Sequence, residues 1–582
     1  MLRLFKSLTG PVFFLFAITA LSTIAGAAEP VRIDNLTFNS GGMAYRAEGI
    51  ELEGVNLSAE SMEALLHGTD IAAQAKALST LDATMIKVSR LRQTQTVGDQ
   101  ATTTIFSNVS LANVKAGIVA RLKAESSTFG TVANAAGASS GSTGVITLDD
   151  IDLALLVGYG ATVKDKKSDD FRRAYSHAEI TKIAFQSPKA AIVSIDRISI
   201  GEVQLRNSGD GITATSERLA KRQNDSSQTD VDVSATLMDV VDIFSSISTG
   251  LLEFENISVR ETETPTNFVN INRFQYSGGV NADASAYRID GVDVEIDDFH
   301  LKIGSFGQSG IKITPVLQTL RKALAKPNTK AQDIDPSLFF PLIGRLELHD
   351  AMLDANLDGP QKFGARSVVF AIERANDALP NQIELSFDGI SGPLPTDTTD
   401  STIQTITSLG YRDLNLSGGI KANLDPKTQE LDFNANISSQ NMANIALSSR
   451  FGNISAESLI ASPSNAPITL MGASLKNFRI MVENRGLVER LIDQQAIKTK
   501  RTADQVRASY ASAAAASLQI YLGMSENAKG LTKTVVSFVN NPNKLMISGQ
   551  SKKPAGVTIA DTATGDGPAA ILDLFDLQRE PQ

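Results

Sequence analysis

The chain of 582 residues has no cysteine, no tryptophan and only four histidines. Without cysteine there is no disulfide, no thiol nucleophile, no thiolate-held metal and no lipid-modified cysteine anchor. That absence is common in bacterial exported proteins and less so in eukaryotic secreted chains of this size. The histidines His67, His177, His300 and His349 stand far apart, with no His-x-x-x-His pair. Scattered surface or turn positions are expected for them, with no metal and no catalytic role. There is no basic block, and the formal net charge is −10, which argues against a nucleic-acid partner. A P-loop and a dinucleotide glycine fingerprint are also missing.

Long hydrophobic runs are missing too, except one. Arg3 and Lys6 precede a mostly apolar run from Pro11 to Ile24, and Ala25-Gly26-Ala27 offers small residues at a cleavage position. This is the three-part form of a secretory signal, expected over residues 1–27. The run is short for a membrane span and is diluted by Thr19, Ser22 and Thr23. An uncleaved inner-membrane anchor is the alternative. Either way the remaining chain is expected outside the cytoplasm, in the periplasm of a Gram-negative bacterium.

What the chain does have is a recurring apolar figure. In YRAEGIELEGVNL the apolar residues fall in pairs, Tyr45/Ala47, Ile50/Leu52 and Val55/Leu57, a step of two within a pair and three between pairs. A step of two is a strand signal, while a step of three throws the next pair onto the other face of an unbroken strand. A bulge restores the facing by adding a residue; a tight turn at each gap is the other solution. Asp290-Gly291 and Asp388-Gly389 suit a turn, but most gaps do not, Asp34-Asn35, Asp196-Arg197, Glu255-Asn256, Asn272-Arg273 and Arg366-Ser367 among them. Turns everywhere would also leave strands shorter than the usual five or six residues. The expectation is therefore a mainly β protein with helices: a long, curved antiparallel sheet of repeated bulged strands, short helices between repeats, and a helical C-terminal subdomain.

Short helices are expected from Ser58 through Leu66, from Asp70 to Leu81, from Thr147 through Val157, over LMDVVDIFSSI to about Phe244, and around Leu342. Their recurrence suggests a weak supersecondary repeat. The expected division is 28–144, 145–234 and 235–400 as β-rich repeat units, 401–485 as a β-rich segment, and 486–582 as mainly helical. In the last part, Thr502 and Gln505 form a capping box for a helix to Leu522, with Val506, Tyr510, Ala513 and Tyr521 on its apolar face. A helix from Glu526 to Val539, a strand at Leu545–Ile547 and a last short helix near Ile571–Leu577 follow.

Several patterns have a plainer reading than the chemistry they mimic. Gly137-Ala138-Ser139-Ser140-Gly141 matches a nucleophile elbow by letter, but sits in an Ala/Gly/Ser loop without the required strand and helix. Asp290, Asp293, Glu295, Asp297 and Asp298 are the densest acidic patch. Their alternation with Val292, Val294 and Ile296 reads as the wet face of a strand and not as a calcium site. Lys498, Lys500 and Arg501 could meet anionic lipid head groups, with a solvated helix entrance as the plainer reading. No catalytic, cofactor-binding or metal-binding residue is singled out.

Strands joined through Asp-Asn, Glu-Gly or Asp-Gly, as in VRIDNLTF and IELEGVNL, resemble the β-repeat texture of AsmA-like envelope proteins of Gram-negative bacteria, over about residues 31 to 480. The resemblance implies long curved sheets that handle lipid between membranes, and it transfers no functional residue. More generally the chain looks like an exported protein of alphaproteobacterial type. Two non-enzymatic functions compete. One is an envelope protein that binds or conducts lipid along an apolar β-groove, with lipid or a membrane surface as partner. The other is a structural or adhesive β protein with a protein or glycan partner. An outer-membrane barrel fits poorly with the helices. A regular five-residue solenoid fits poorly with a beat that breaks after about three pairs.

Overall fold

The computed structural model describes residues 30–581 except 41–42, 58–70, 98–99, 132–137, 160–169, 188–190, 207–214, 216–217, 220–232, 280–281, 325–343, 357–359, 375–379, 396–397, 456–471, 559–560 and 562–567. The signal region and the helices expected at Ser58–Leu66 and around Leu342 lie outside the described residues. What is described is mainly β, in long antiparallel sheets with helices between strands and several at the C-terminus. The chain divides into two compact units: residues 1–297 with 309–342, and residues 298–308 with 343–582.

In the first unit, strand Val31–Ser40 pairs with Met43–Glu53, which pairs with Ala83–Val97, which pairs with Gln100–Lys115. The ladder continues through Ile118–Ala124 and Ser126–Thr131 to Ile146–Asp152, then His177–Gln186 and Ala191–Ile200. Leu251–Glu261, Phe268–Ser277 and Ser285–Ile296 complete it. Tyr45, Ala47, Ile50 and Leu52 are all buried on one side, as are Ile86, Val88, Leu91, Phe106, Val109 and Leu111. The steps of three have therefore kept every pair facing one core.

The extra residue that does this is matched across the sheet. Ile33 pairs with Ile50 and Asn35 with Glu48, so Asp34 stands opposite Gly49. In the same way Gly49 faces Ser89, Ser89 faces Asn108, and Asn108 faces Glu125. An ordinary bulge sets two residues against one; here one extra residue meets another and the register runs on. Within the row, backbone φ is positive on every second strand, 62° at Gly49 and 50° at Asn108. A second row runs Gly54, Thr84, Asn113, Ala120, Asp150, Ser176, with φ of 61°, 51° and 52° at Gly54, Asn113 and Asp150. A third runs Lys182, Asp196, Asn256, Asn272, Gly291. Only glycine, and to a lesser degree Asn and Asp, take this left-handed conformation cheaply, which is why the gaps are rich in them. Asn256 Nδ2 donates to Asp196 Oδ2 at 2.8 Å, and the Asn272 side chain fills the space a Cβ on Gly291 would need.

Asp290-Gly291 and Asp388-Gly389 are therefore not turns: each lies within a strand, Ser285–Ile296 and Pro380–Pro393. A two-residue connection falls elsewhere, at Ala116-Gly117 between Lys115 and Ile118, with φ of 48° and 76°. Lys182 is the misfit of the third row, a long side chain at φ 50°. The left-handed region costs a side-chain-bearing residue about 1–2 kcal/mol, partly offset by glycine's larger unfolded-state entropy. Lys182→Gly is expected to stabilise the first unit by about 0.5–1 kcal/mol in denaturant melts; a loss of stability would contradict the account of the row.

Helices Ile71–Leu78 and Leu153–Tyr159 seal this core. Leu78, Leu153 and Val157 join one cluster with Leu81, Leu111, Leu122 and Ile151. The second of these helices was expected from Thr147, but residues 146–152 form a strand, and the helix starts where Asp152 accepts from the Leu155 amide at 2.8 Å. Helix Val233–Ser246 packs on Ile313–Leu324 through Val241, Leu320 and Leu324, with Arg321 paired to Asp242.

In the second unit, Arg345–Asn356, Pro360–Arg374, Pro380–Pro393, Asp413–Asp425, Glu430–Ser439, Ala443–Gly452, Ser474–Asn484, Lys544–Ser551 and Phe575–Pro581 pair in that order. The kink row recurs as Asp350, Arg366, Gly389, and ends at Ser417 in an ordinary bulge, where Phe387 pairs with Gly418 but Ile390 with Leu416. From Glu430 on the strands alternate without a kink row. Helices Leu487–Thr499, Ala503–Leu522 and Glu526–Asn540 fall between Ser474–Asn484 and Lys544–Ser551. The last helix is Pro568–Leu572, and residues 575–581, expected to be partly helical, are a strand, because pairing with Lys544–Ser551 satisfies their backbone.

Candidate functional site

The feature that differs between the two units is what lies on the apolar face. In the first unit it is sealed as far as Ile200. On Leu251–Glu261, Phe268–Ser277 and Ser285–Ile296 most apolar side chains are only half-buried. In the second unit the apolar face is open over most of its strands. Cross-strand register puts Leu346, Phe370, Leu385, Ile420, Ala435, Leu447, Ile480 and Ile547 in one row. A flanking row two residues on runs Leu348, Val368, Phe387, Gly418, Ile437, Ile445, Val482, Leu545. On the other side lie Ile372, Ile383, Ala422, Phe433, Ser449 and Phe478. Leu447 and Ile420 are 37 % and 46 % exposed, whereas Leu111 at an equivalent place in the first unit is 0 %. At a strand spacing of about 4.8 Å the middle row extends about 34 Å.

Only the ends are closed. Arg579 is paired opposite Ile547, on the apolar side, and its guanidinium sits where a Cβ on Gly530 would be. Helix Glu526–Asn540 thus covers the last strands. Leu394, Leu409 and Tyr411 make a small cluster with Leu487 and Met442, and Arg490 lies 4.3 Å from the Tyr411 ring centroid.

The reverse face carries the charge. Asp432 and Arg450 face each other at 2.6 Å, Lys421 reaches Glu384 at 3.8 Å, and Asn444 donates to Glu483 at 3.4 Å. Asp388, beside the kink, is held below the usual carboxylate range, first by the Ser417 hydroxyl and then by Arg366. These groups keep one side of the sheet wet and leave the other chemically uniform.

The residues weighed from sequence do not assemble into a reactive site. His177 opens a strand, His349 lies 3.7 Å from Glu347, and His300 sits on Phe299–Ile311; His67 lies outside the described residues. Among the described residues no three His, Asp or Glu side chains are grouped to hold a metal. Gly137 lies outside the described residues, and Ser139, the serine at the elbow position, comes just before strand Ser140–Thr143: its amide donates to the Thr131 hydroxyl at 3.2 Å and its carbonyl accepts from the Thr131 amide at 3.0 Å, so it borders a sheet ladder and not an elbow. Of the acidic patch, Asp290 pairs with Arg288 at 2.7 Å, Asp293 and Glu295 stand on the same strand, and Asp297-Asp298 connect to the next. The open face is present in the sequence only as alternation; nothing local in it marks which apolar face stays bare.

A family model described only as an uncharacterized protein matches residues 436–580. That span holds the last strands of the open face and the whole helical insertion. No curated protein matches the chain. No described helix is long and apolar enough to cross a membrane.

Proposed function

We propose that this is a non-enzymatic protein of the bacterial envelope that holds lipid acyl chains on the apolar face of the second unit. The observation that carries the reading is the row from Leu346 to Ile547, in register over eight strands and half-exposed. Contiguous exposed apolar surface of this extent marks a binding surface. A protein partner would need its hydrogen-bonding groups matched, but the two longer rows carry no polar side chain. An acyl chain asks for no directional partner. Its burial is worth about 0.8 kcal/mol per methylene. The signal-like N-terminus supports placement outside the cytoplasm.

Lipid extraction and native mass spectrometry of the gently purified protein test this. Bound lipid is the expected result. A lipid-free protein that instead carries a protein or glycan would favour the adhesive alternative.

A further inference from the structure

We propose that helix Ala503–Leu522 and the turn before it form a docking surface for an anionic bilayer. The turn is Ile497-Lys498-Thr499-Lys500-Arg501. Ile497 is 79 % exposed in the last turn of its helix. The backbone is closed by its own bonds, with the Arg501 amide donating to the Ala496 carbonyl at 3.0 Å. Lys500 sits at φ 54°, the position after a helix where glycine is usual. Lys500 and Arg501 also precede the N-terminus of the next helix, where the macrodipole disfavours cations. The C-terminus of the preceding helix favours the charge of Lys498 and Lys500, so folding leaves the exposed Ile497 and the cation at Arg501 unaccounted for. Among the described residues Lys498 and Lys500 make no ion pair, and Arg501 donates to the Ser509 hydroxyl at 3.3 Å. The nearest carboxylate on the next helix, Asp504, is engaged by Arg507 at 3.4 Å.

Of the expected apolar face of the helix that follows, Val506 is buried and the rest is not. Its Thr502–Gln505 capping box forms as expected, but only Val506 and Ala511 are buried. Tyr510, Ala513 and Tyr521, expected to pack inward, face out. From Ala508 to Met524 the sequence has no charged residue. The stripe Tyr510, Ala513, Ser517, Ile520/Tyr521 recurs at helical spacing on the exposed side. It ends on Ile520, Tyr521 and Met524, exposed by 80 %, 72 % and 64 %. A cationic start, an uncharged outward stripe and tyrosines at two depths along it match an interfacial helix on an anionic surface. Charge complementarity selects the bilayer over a second copy of the chain, which would bring the same cations together. This inference stands whatever occupies the sheet face.

Flotation of the full chain with phosphatidylcholine vesicles, with and without phosphatidylglycerol, tests it. Binding is expected to need phosphatidylglycerol and to weaken with salt. The variant Lys498→Glu, Lys500→Glu, Arg501→Glu is expected to lose about 100-fold in affinity, since each basic residue near such a surface contributes roughly fivefold. Ile520→Ser with Tyr521→Ser, at unchanged melting temperature, is expected to lose at least tenfold. Lys427→Glu, in the exposed turn between Asp413–Asp425 and Glu430–Ser439, is expected to bind the vesicles as the parent does. Equal binding to both vesicle types, or affinity unchanged in both helix variants, would overturn the proposal. So would a dimer that Ile520→Ser dissociates while vesicle binding stays at parent level.

Discussion

Leu111→Ala is expected to cost the first unit about 3–4 kcal/mol, whereas Leu447→Ala in the second unit is expected to cost less than about 1 kcal/mol. Both residues sit mid-strand on the apolar side and are the same amino acid. Leu111 is fully buried in the cluster closed by Leu78 and Leu153, so truncation removes transfer free energy and leaves a cavity. Leu447 has solvent over more than a third of its surface, so its methyls have little burial to lose and no cavity can form. Urea denaturation of each variant measures the two costs. Equal penalties would mean that the face around Leu447 is covered.

The second large effect concerns ligand. Ile420→Asp combined with Leu447→Asp places two carboxylates on strands two apart in the middle row. A carboxylate in water on a half-exposed face costs the fold little. Against a hydrocarbon chain it must be desolvated or neutralised, which is expensive. Co-purified lipid is therefore expected to fall at least tenfold, with the melting temperature within a few degrees of the parent. Loss of lipid together with loss of the fold would not be this effect; unchanged lipid at unchanged stability would remove the face from the binding site.

Much of the architecture was readable in the residues. The alternation of two and three steps predicted strands with an extra residue, and the gap letters Gly49, Gly54, Asn108 and Asn256 are those that tolerate positive φ. The pairing of extra residues into rows was not readable, because the partners Ser89, Thr84, Ala120 and Arg366 have ordinary backbone and no letter to announce them. The same local limit explains the misplaced turn at Gly291: Asp-Gly serves a tight turn and a kink row equally well. In the C-terminal part the capping box fixed the helix start, but Tyr510 and Tyr521 were expected inside. Large amphipathic rings pack or face out according to tertiary neighbours, which periodicity does not contain. The open face is the deepest case. Residues 45–52 and 363–370 carry the same paired figure, and only the placement of helices Ile71–Leu78 and Leu153–Tyr159 over the first makes one a core and leaves the other open.

The lack of native cysteine allows a direct measurement of that difference. Single-cysteine variants Leu111→Cys, Ile420→Cys and Leu447→Cys can be labelled with a maleimide before and after detergent removal of lipid. The account predicts that Leu111→Cys stays unreactive in the folded protein. Ile420→Cys and Leu447→Cys are expected to be slow as purified and to react at least tenfold faster once lipid is removed. Rates at positions 420 and 447 that are as slow as at 111 after delipidation would contradict an open apolar face, and fast rates before it would contradict a lipid upon it.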